Sequence, residues 1–124
     1  MKDVNIITKE IIGAAMRVHT KLGLGLLESA YEACLAYELR KAGLLCLTQV
    51  GLPIVYDEVT LDVGYRIDML VEDAVVVELK AVERVLPIHE AQLISYLKLS
   101  DKRIGLLINF HVNHLRDGIM RRVN

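Results

Sequence analysis

Hydrophobic residues recur at helical spacing in the first third of the chain and at strand-like spacing through most of the remainder. Apolar positions such as Ile7, Ile11 and Val18 lie three, four or seven residues apart, which predicts a helix over residues 3–22. A Gly-Leu-Gly sequence interrupts this pattern. A second helical pattern covers residues 26–42 and stops at a glycine, so the chain is predicted to begin with two helices.

Strand-like runs dominate the chain after the second helix. Short apolar runs bounded by turn residues predict strands at residues 44–47, 52–56, 63–71, 74–79, 104–110 and 119–123. An amphipathic run over residues 88–99 comes after Pro87, a residue favoured in the first turn of a helix, and predicts a third helix. The order helix, helix, strand meander, helix, strand, strand predicts an α/β domain with a mixed sheet flanked by helices.

Charged residues stand in two adjacent predicted strands, where burying a charge is costly unless something pairs with it. Asp68 lies within one of these strands, and Glu78 and Lys80 end the next one. Glu78 and Lys80 share one strand face, and Leu79 lies on the other. Two carboxylates can hold Mg²⁺, and a lysine can stabilise charge on an attacked phosphate. The pattern therefore indicates a divalent-metal phosphodiesterase.

The turn between these two strands decides whether the acids meet. A three-residue turn beginning at Glu72 places Asp68 opposite Glu78, with their Cβ atoms about 5 Å apart. A two-residue turn would pair Asp68 with Val77 instead and put the acids on opposite faces. The sequence is compatible with both turns. The proposed chemistry requires the three-residue turn, or a bulge, and we predict this arrangement together with a raised pKa for one of the two carboxyl groups in the absence of metal.

The predicted helices offer further candidates. Gln92 and Tyr96 are four residues apart and share one helical face. In the second helix, Glu28 is favoured over Glu32, one turn later, because Glu28 stands in the first turn beside the glycines. Each also has an ordinary explanation. Gln92 and Tyr96 suit any amphipathic helix, Glu28 complements a helix dipole, and Lys80 could extend from a strand end to water. An acid pair at a hairpin is more often a solvated edge than a metal site, so the hypothesis depends on the combination.

The order of these candidates along the chain strengthens the hypothesis. Residues 25–31 have the pattern G-x-x-E-x-x-Y, followed by Asp68, by Glu78-Leu79-Lys80, and by Q-x-x-x-Y over residues 92–96. With these motifs the chain resembles the GxxExxY protein family, a branch of the PD-(D/E)XK nuclease superfamily. The motif order is also similar to that of RecB-like and lambda-exonuclease-like nucleases. No proline stands close before Asp68, so the "PD" of the superfamily name is not literal here.

The resemblance implies a restriction-endonuclease-like core and a nuclease that hydrolyses phosphodiester bonds in DNA or RNA. It also implies a metal centre on the central strands of the sheet. Asp68, Glu78 and the carbonyl of Leu79 would ligate Mg²⁺ or Mn²⁺, and Glu28 would complete the site directly or through water.

The same resemblance implies roles for three further side chains. Lys80 would orient and help deprotonate the attacking water, or stabilise the charge that develops on the phosphate. Gln92 and Tyr96 would position the site or contact the phosphate backbone.

Composition bounds the remaining possibilities. The chain has 124 residues, of which 53% are apolar and 25% charged, which predicts a single domain over residues 1–124. The net charge of −1 gives no bulk support for nucleic-acid binding. No apolar run reaches the roughly 18 residues of a membrane span, and two isolated cysteines without a targeting sequence predict a cytoplasmic protein. The high apolar fraction with few aromatic residues predicts a homodimer or a higher homo-oligomer.

Two other functions are compatible with the same scaffold. One is a non-catalytic module for nucleic-acid binding or assembly, which the presence of Asp68, Glu78 and Lys80 disfavours. The other is a hydrolase of a small phosphoester, which would need the same metal site but no basic channel for nucleic acid.

Overall fold

A five-stranded mixed sheet with helices on both faces forms the framework of the protein, in a computed structural model that describes residues 3–124. The elements in chain order are α1 (Val4–Leu22), α2 (Glu28–Lys41), β1 (Cys46–Gly51), β2 (Ile54–Tyr56), β3 (Val59–Leu61), β4 (Arg66–Val71), β5 (Val75–Lys80), α3 (Pro87–Ser100), β6 (Ile104–Asn109), a short 3₁₀ helix (Leu115–Gly118) and β7 (Ile119–Val123). The predicted α/β fold with a mixed, helix-flanked sheet is confirmed.

The sheet has the strand order β1-β4-β5-β6-β7, and β2 and β3 form a separate hairpin. β5 and β6 are parallel, whereas the other neighbours in the large sheet are antiparallel. Because a parallel pair needs a crossover connection, α3 lies between β5 and β6 in the chain and covers one face of the sheet. α1 and α2 pack on the opposite face. β4 and β5 thus lie near the centre, between two layers of helices.

The helices form where local sequence and packing agree. The Asp3 side chain accepts a hydrogen bond from the Asn5 N–H and caps the start of α1. α1 ends at Gly23, whose positive φ of 71° suits a residue without a side chain. Ile7 and Ile11 of α1 are fully buried against the sheet, as the helical spacing predicts. No helix within residues 3–124 is long and apolar enough to cross a membrane.

The strand predictions were wrong in the region that precedes β4. β1 lies over Cys46–Gly51 rather than residues 44–47, β4 begins at Arg66 rather than at residue 63, and the β3 strand was not predicted. Every residue of β3 is exposed. The sequence Val59-Thr60-Leu61 does alternate between apolar and polar residues, but the strand is shorter than the run of about four residues at which alternation begins to predict a strand.

Side-chain alternation along β4 reverses between Met69 and Ile67. Met69 packs in the hydrophobic cluster under α1 and α2, whereas Ile67 packs in the cluster under α3. Residues two apart in a regular strand point to the same face, so the strand changes face at Asp68.

The neighbouring strand β1 changes face at the same level. Cys46 packs towards α1 and α2, and Val50 packs in the α3 cluster. The register between β1 and β4 is nevertheless the same on both sides of this point. Gln49, which stands opposite Asp68 in that register, has a left-handed backbone with φ of 52°. The reversal therefore comes from a local backbone change, without an inserted residue.

Candidate active site

The turn between β4 and β5 has the three residues that the site hypothesis requires. The last regular pair before the strands separate is Met69 with Val77, which places Asp68 opposite Glu78. The predicted three-residue turn and its register are therefore confirmed.

The two carboxylates take the place of the backbone ladder beyond this pair. The Asp68 N–H donates to Oε2 of Glu78 at 2.8 Å, and the Leu79 N–H donates to Oδ2 of Asp68 at 2.8 Å. The N–H and C=O of one strand residue face the same neighbour, so the Leu79 carbonyl also faces the gap between β4 and β5. Each carboxyl group thus holds the opposite strand with one oxygen, and the other oxygen of Asp68, Oδ1, lies 3.4 Å from Nε2 of Gln49.

Burial strongly perturbs one member of the acid pair. The side chain of Glu78 is almost completely buried, and burial together with the nearby Asp68 charge raises its pKa to about 8. The hydrogen bond from the Asp68 N–H and the charge of Lys80 oppose this increase. The predicted raised pKa is confirmed, with burial as a larger cause than repulsion between the acids. A buried acid with such a shift is typical of a functional site.

A cavity of about 220 Å³ opens on the α2 side of the acid pair. Its walls are formed by Glu28, Ser29, Glu32, Gln49, Asp68 and Leu79. Glu28 and Glu32 lie one helical turn apart on α2, so both carboxylates reach the cavity from the same side. The structure thus brings Glu28 to the same cavity as Asp68 and Leu79.

Asp68 and Leu79 line this cavity, whereas Glu78 is not among its lining residues and meets Asp68 at the gap between β4 and β5. Among residues 3–124, no three His, Cys, Asp or Glu side chains are close enough to form a metal-binding cluster by themselves. Two carboxylates with one backbone carbonyl suit Mg²⁺, which prefers oxygen ligands and retains several waters. Glu28 lines the same cavity from α2.

The glycine turn that precedes Glu28 is fixed by Tyr31. Its hydroxyl donates to the Gly23 carbonyl at 2.7 Å and accepts from the Leu26 N–H at 3.2 Å. The Tyr31 ring stacks on Phe110, with ring centroids 4.4 Å apart. The tyrosine of the G-x-x-E-x-x-Y motif is therefore fully buried and holds the turn that delivers Glu28 to the cavity.

α3 approaches the acid pair from the other face of the sheet. Nε2 of Gln92 donates to the Tyr96 hydroxyl at 3.0 Å. Burial, followed by the charges of Glu78 and Asp68, raises the pKa of Tyr96, which places this hydroxyl within electrostatic range of both acids. The ring of Tyr65, which was not among the sequence candidates, lies 6.2 Å from the Tyr96 ring.

Lys80 follows Glu78 on β5 with a half-buried side chain, and no carboxylate within residues 3–124 forms an ion pair with it. The neighbouring residue on β6 is the buried Asn109. Its side-chain amide donates to the Val82 carbonyl at 2.8 Å and accepts from the Val82 N–H at 3.1 Å. Asn109 thus fixes the segment that follows Lys80, while the lysine ammonium keeps its hydrogen-bond donors.

Three residues near the site were missed in the sequence: Gln49, Tyr65 and Asn109. Glu32 was considered beside Glu28 and was not selected, yet it lines the same cavity. Asn109 had a usable signal, because it is a polar residue at the end of a continuous apolar strand. Gln49 and Tyr65 had none. Their importance comes only from the way in which the tertiary structure surrounds Asp68.

Comparison with known proteins identifies the family. No curated protein and no solved structure showed significant similarity to the chain. The sequence does match the PD-(D/E)XK nuclease superfamily over residues 5–123, and the helix-flanked mixed sheet agrees with a restriction-endonuclease-like fold. With its fold, its acid pair and this match over most of its length, the chain belongs to the PD-(D/E)XK nuclease superfamily.

Proposed function

We propose that this protein is a divalent-metal-dependent nuclease that hydrolyses phosphodiester bonds in DNA or RNA. One observation carries the proposal. Asp68 and Glu78 meet where the β4–β5 ladder opens, and each carboxyl group accepts a backbone N–H across the gap with only one of its two oxygens. Nucleases of this superfamily typically use divalent metals. The family and the donor set therefore support the same chemistry.

The metal ligands in this proposal are Asp68, Glu78 and the carbonyl of Leu79, with Glu28 completing the site through water. A bound Mg²⁺ or Mn²⁺ would supply positive charge against the attacked phosphate and make a nearby water more acidic. A cation next to Glu78 also favours the ionised carboxylate, which offsets the increase in pKa that burial causes.

Lys80 orients the attacking water or stabilises the negative charge that develops on the phosphate. Its ammonium shares a strand face with Glu78 and forms no ion pair within residues 3–124, which leaves its donors for substrate or water. Gln92 and Tyr96 position the acid pair from the α3 side or contact the phosphate backbone. The tyrosine hydroxyl donates onward when it accepts the Gln92 amide.

Several finer assignments belong to this proposal. The motifs support membership of the GxxExxY branch, with residues 1–124 as one nuclease-like domain. We also place the protein in the cytoplasm and expect a homodimer or higher homo-oligomer. Exposed apolar side chains on the β2–β3 hairpin, among them Val55, Tyr56 and Val59, support self-association.

A hydrolase of a small phosphoester is the second candidate, and the distribution of basic residues favours it. Arg17 pairs with Glu38, Lys102 pairs with Asp73, and Arg40 donates to the Cys46 carbonyl. Arg122 pairs with Glu90 on α3. These cations are engaged in contacts within the chain, so they provide little of the basic channel that a long nucleic acid needs.

A cleavage assay with Mg²⁺ or Mn²⁺ on single- and double-stranded DNA and RNA tests the proposal, with bis(p-nitrophenyl) phosphate as a small phosphodiester. Lys80→Met removes the ammonium and keeps most of the chain length. We expect this variant to lower kcat by about 10²–10³-fold, the usual effect of losing one group that stabilises transition-state charge.

Lys9→Met is the matched control, because Lys9 is an exposed lysine on α1. It should cleave like the wild type. Cleavage of only the small phosphodiester would favour the second candidate. Equal activity of Lys80→Met and the wild type would contradict the assigned site, and no cleavage of any substrate would favour the non-catalytic module.

A further inference from the structure

Gln49 has an unusual backbone for a residue inside a strand. Five non-glycine residues within residues 3–124 have positive φ, and four of them (Asp57, Glu72, Asp73 and Asp101) lie in turns or at a helix end. Gln49 is the fifth, with φ of 52° in the middle of β1. Glutamine has no short side chain with which to stabilise this conformation locally, so the backbone at Gln49 is strained.

This strained residue coincides with the reversal of strand faces. The β1–β4 register continues on both sides of Gln49, yet the side chains before and after it pack on opposite faces of the sheet. Asp68 stands opposite Gln49 in that register and lines the α2-side cavity. The left-handed turn at Gln49 therefore accompanies the change that directs the Asp68 carboxylate into the cavity.

The side chain of Gln49 explains why a glutamine occupies the position. If only a left-handed backbone were needed, Gly or Asn would adopt it more easily. Nε2 of Gln49 lies 2.7 Å from Oε1 of Glu32 and 3.4 Å from Oδ1 of Asp68. A primary amide has two N–H groups and no charge, so one side chain can donate towards two carboxylates without taking a metal ligand out of use. Glycine would lose this bridge, and asparagine is one methylene shorter.

We propose that Gln49 is a positioning residue for the metal centre, whose left-handed backbone turns Asp68 into the cavity and whose amide holds Asp68 against Glu32. This inference rests on the proposed function, since it concerns the same metal centre. Partners that orient metal ligands from behind commonly change metal affinity by about 10–100-fold when they are removed.

Two variants separate the backbone from the amide. Gln49→Gly removes both the strain and the amide, whereas Gln49→Met removes the amide and keeps a side chain of similar length on the strained backbone. Asp57→Gly is the matched control, because Asp57 has the same φ of 52° in the exposed β2–β3 turn. Thermal melting in EDTA and Mn²⁺ titration by calorimetry are measured for all four proteins.

We expect Gln49→Gly to melt at or above the wild-type temperature and Gln49→Met at or below it. Both variants should bind Mn²⁺ at least about tenfold more weakly than the wild type. Asp57→Gly should bind Mn²⁺ like the wild type. Greater stability combined with weaker metal binding is the signature of strain kept for function, which a purely structural residue would not give.

Three results would overturn the inference. Mn²⁺ affinity within twofold of the wild type in Gln49→Met would show that the amide positions nothing. A Gln49→Gly protein that melts well below the wild type, or does not fold, would make Gln49 a structural residue. A wild-type protein that binds no Mn²⁺ would overturn the proposed function itself, which distinguishes that failure from the other two.

Discussion

The two ends of the β4–β5 hairpin use the same pair of strands in different ways. Next to the turn, Val71 pairs with Val75, and both side chains are fully buried. At the open end, Asp68 and Glu78 face each other, and their carboxylates accept the backbone N–H groups that a regular ladder would have used. At the turn end, backbone groups pair with backbone groups, and at the open end two backbone N–H groups pair with carboxyl side chains.

The difference shows how this sheet separates stability from chemistry. At the turn end, apolar burial and complete pairing stabilise the fold and leave no group free to react. At the open end, a buried acid with a raised pKa reduces stability at neutral pH, and in the proposed function the same acid helps to hold the metal ion. Substitutions at the open end should therefore reduce cleavage rather than stability, whereas substitutions at the turn end should reduce stability rather than cleavage.

The largest effect is expected for Glu78→Gln at the open end, which keeps a side-chain oxygen for the Asp68 N–H. We expect cleavage to fall by at least about 100-fold, because the neutral amide is a poor metal ligand. The folded pKa of Glu78 is about 8, against an ordinary value of 4.5, so the folded state holds a proton that the unfolded state releases between these values. Without metal, the free energy of unfolding of the wild type should fall as pH rises through this window.

Urea denaturation in EDTA at pH 5 and pH 9 measures this pH dependence of the free energy of unfolding. Each unit of pKa difference corresponds to about 1.4 kcal/mol, so wild type and Glu78→Gln should differ by several kcal/mol more at pH 9 than at pH 5. The variant should be the more stable protein at pH 9. Saturating Mg²⁺ should restore the stability of the wild type at pH 9. A pH dependence shared equally by both proteins would mean that Glu78 does not titrate in this way.

Val71→Ala probes the turn end of the hairpin and should have an intermediate effect. The fully buried valine loses two methyl groups, which costs about 2 kcal/mol of unfolding free energy from lost burial and the cavity that remains. Activity per folded molecule should stay within twofold of the wild type. If Val71→Ala lost activity without losing stability, the division between the two ends would be wrong.

Tyr31→Phe should have the smallest effect, because it acts on the open end only through the glycine turn. Losing the hydroxyl leaves the Gly23 carbonyl and the Leu26 N–H without this partner and should cost about 1–2 kcal/mol. We expect a several-fold loss of cleavage, since Glu28 depends on that turn. Tyr37→Phe, at an exposed tyrosine of α2, is the control and should change neither quantity.

The sequence predicted the features that depend on local periodicity. The helical spacing located α1 and α3, the continuous apolar run located β6, and charges inside strands identified Asp68, Glu78 and Lys80 as candidates. These signals are local because burying one face of a segment, or a charge within it, constrains the residue types of that same segment. The β3 strand buries neither face and has only three residues, too few for their alternation to predict a strand, and it was missed.

Only the tertiary structure decided how these candidates are arranged. Turn length was open in the sequence, because one residue more or less leaves the composition of the turn almost unchanged while it inverts the strand faces. The face reversal at Gln49 and the contact of its amide with Glu32 depend on three segments that are distant along the chain. The sequence by itself determined the fold class and the chemical groups available, whereas packing of β1, β4 and α2 against one another decided which groups surround Asp68.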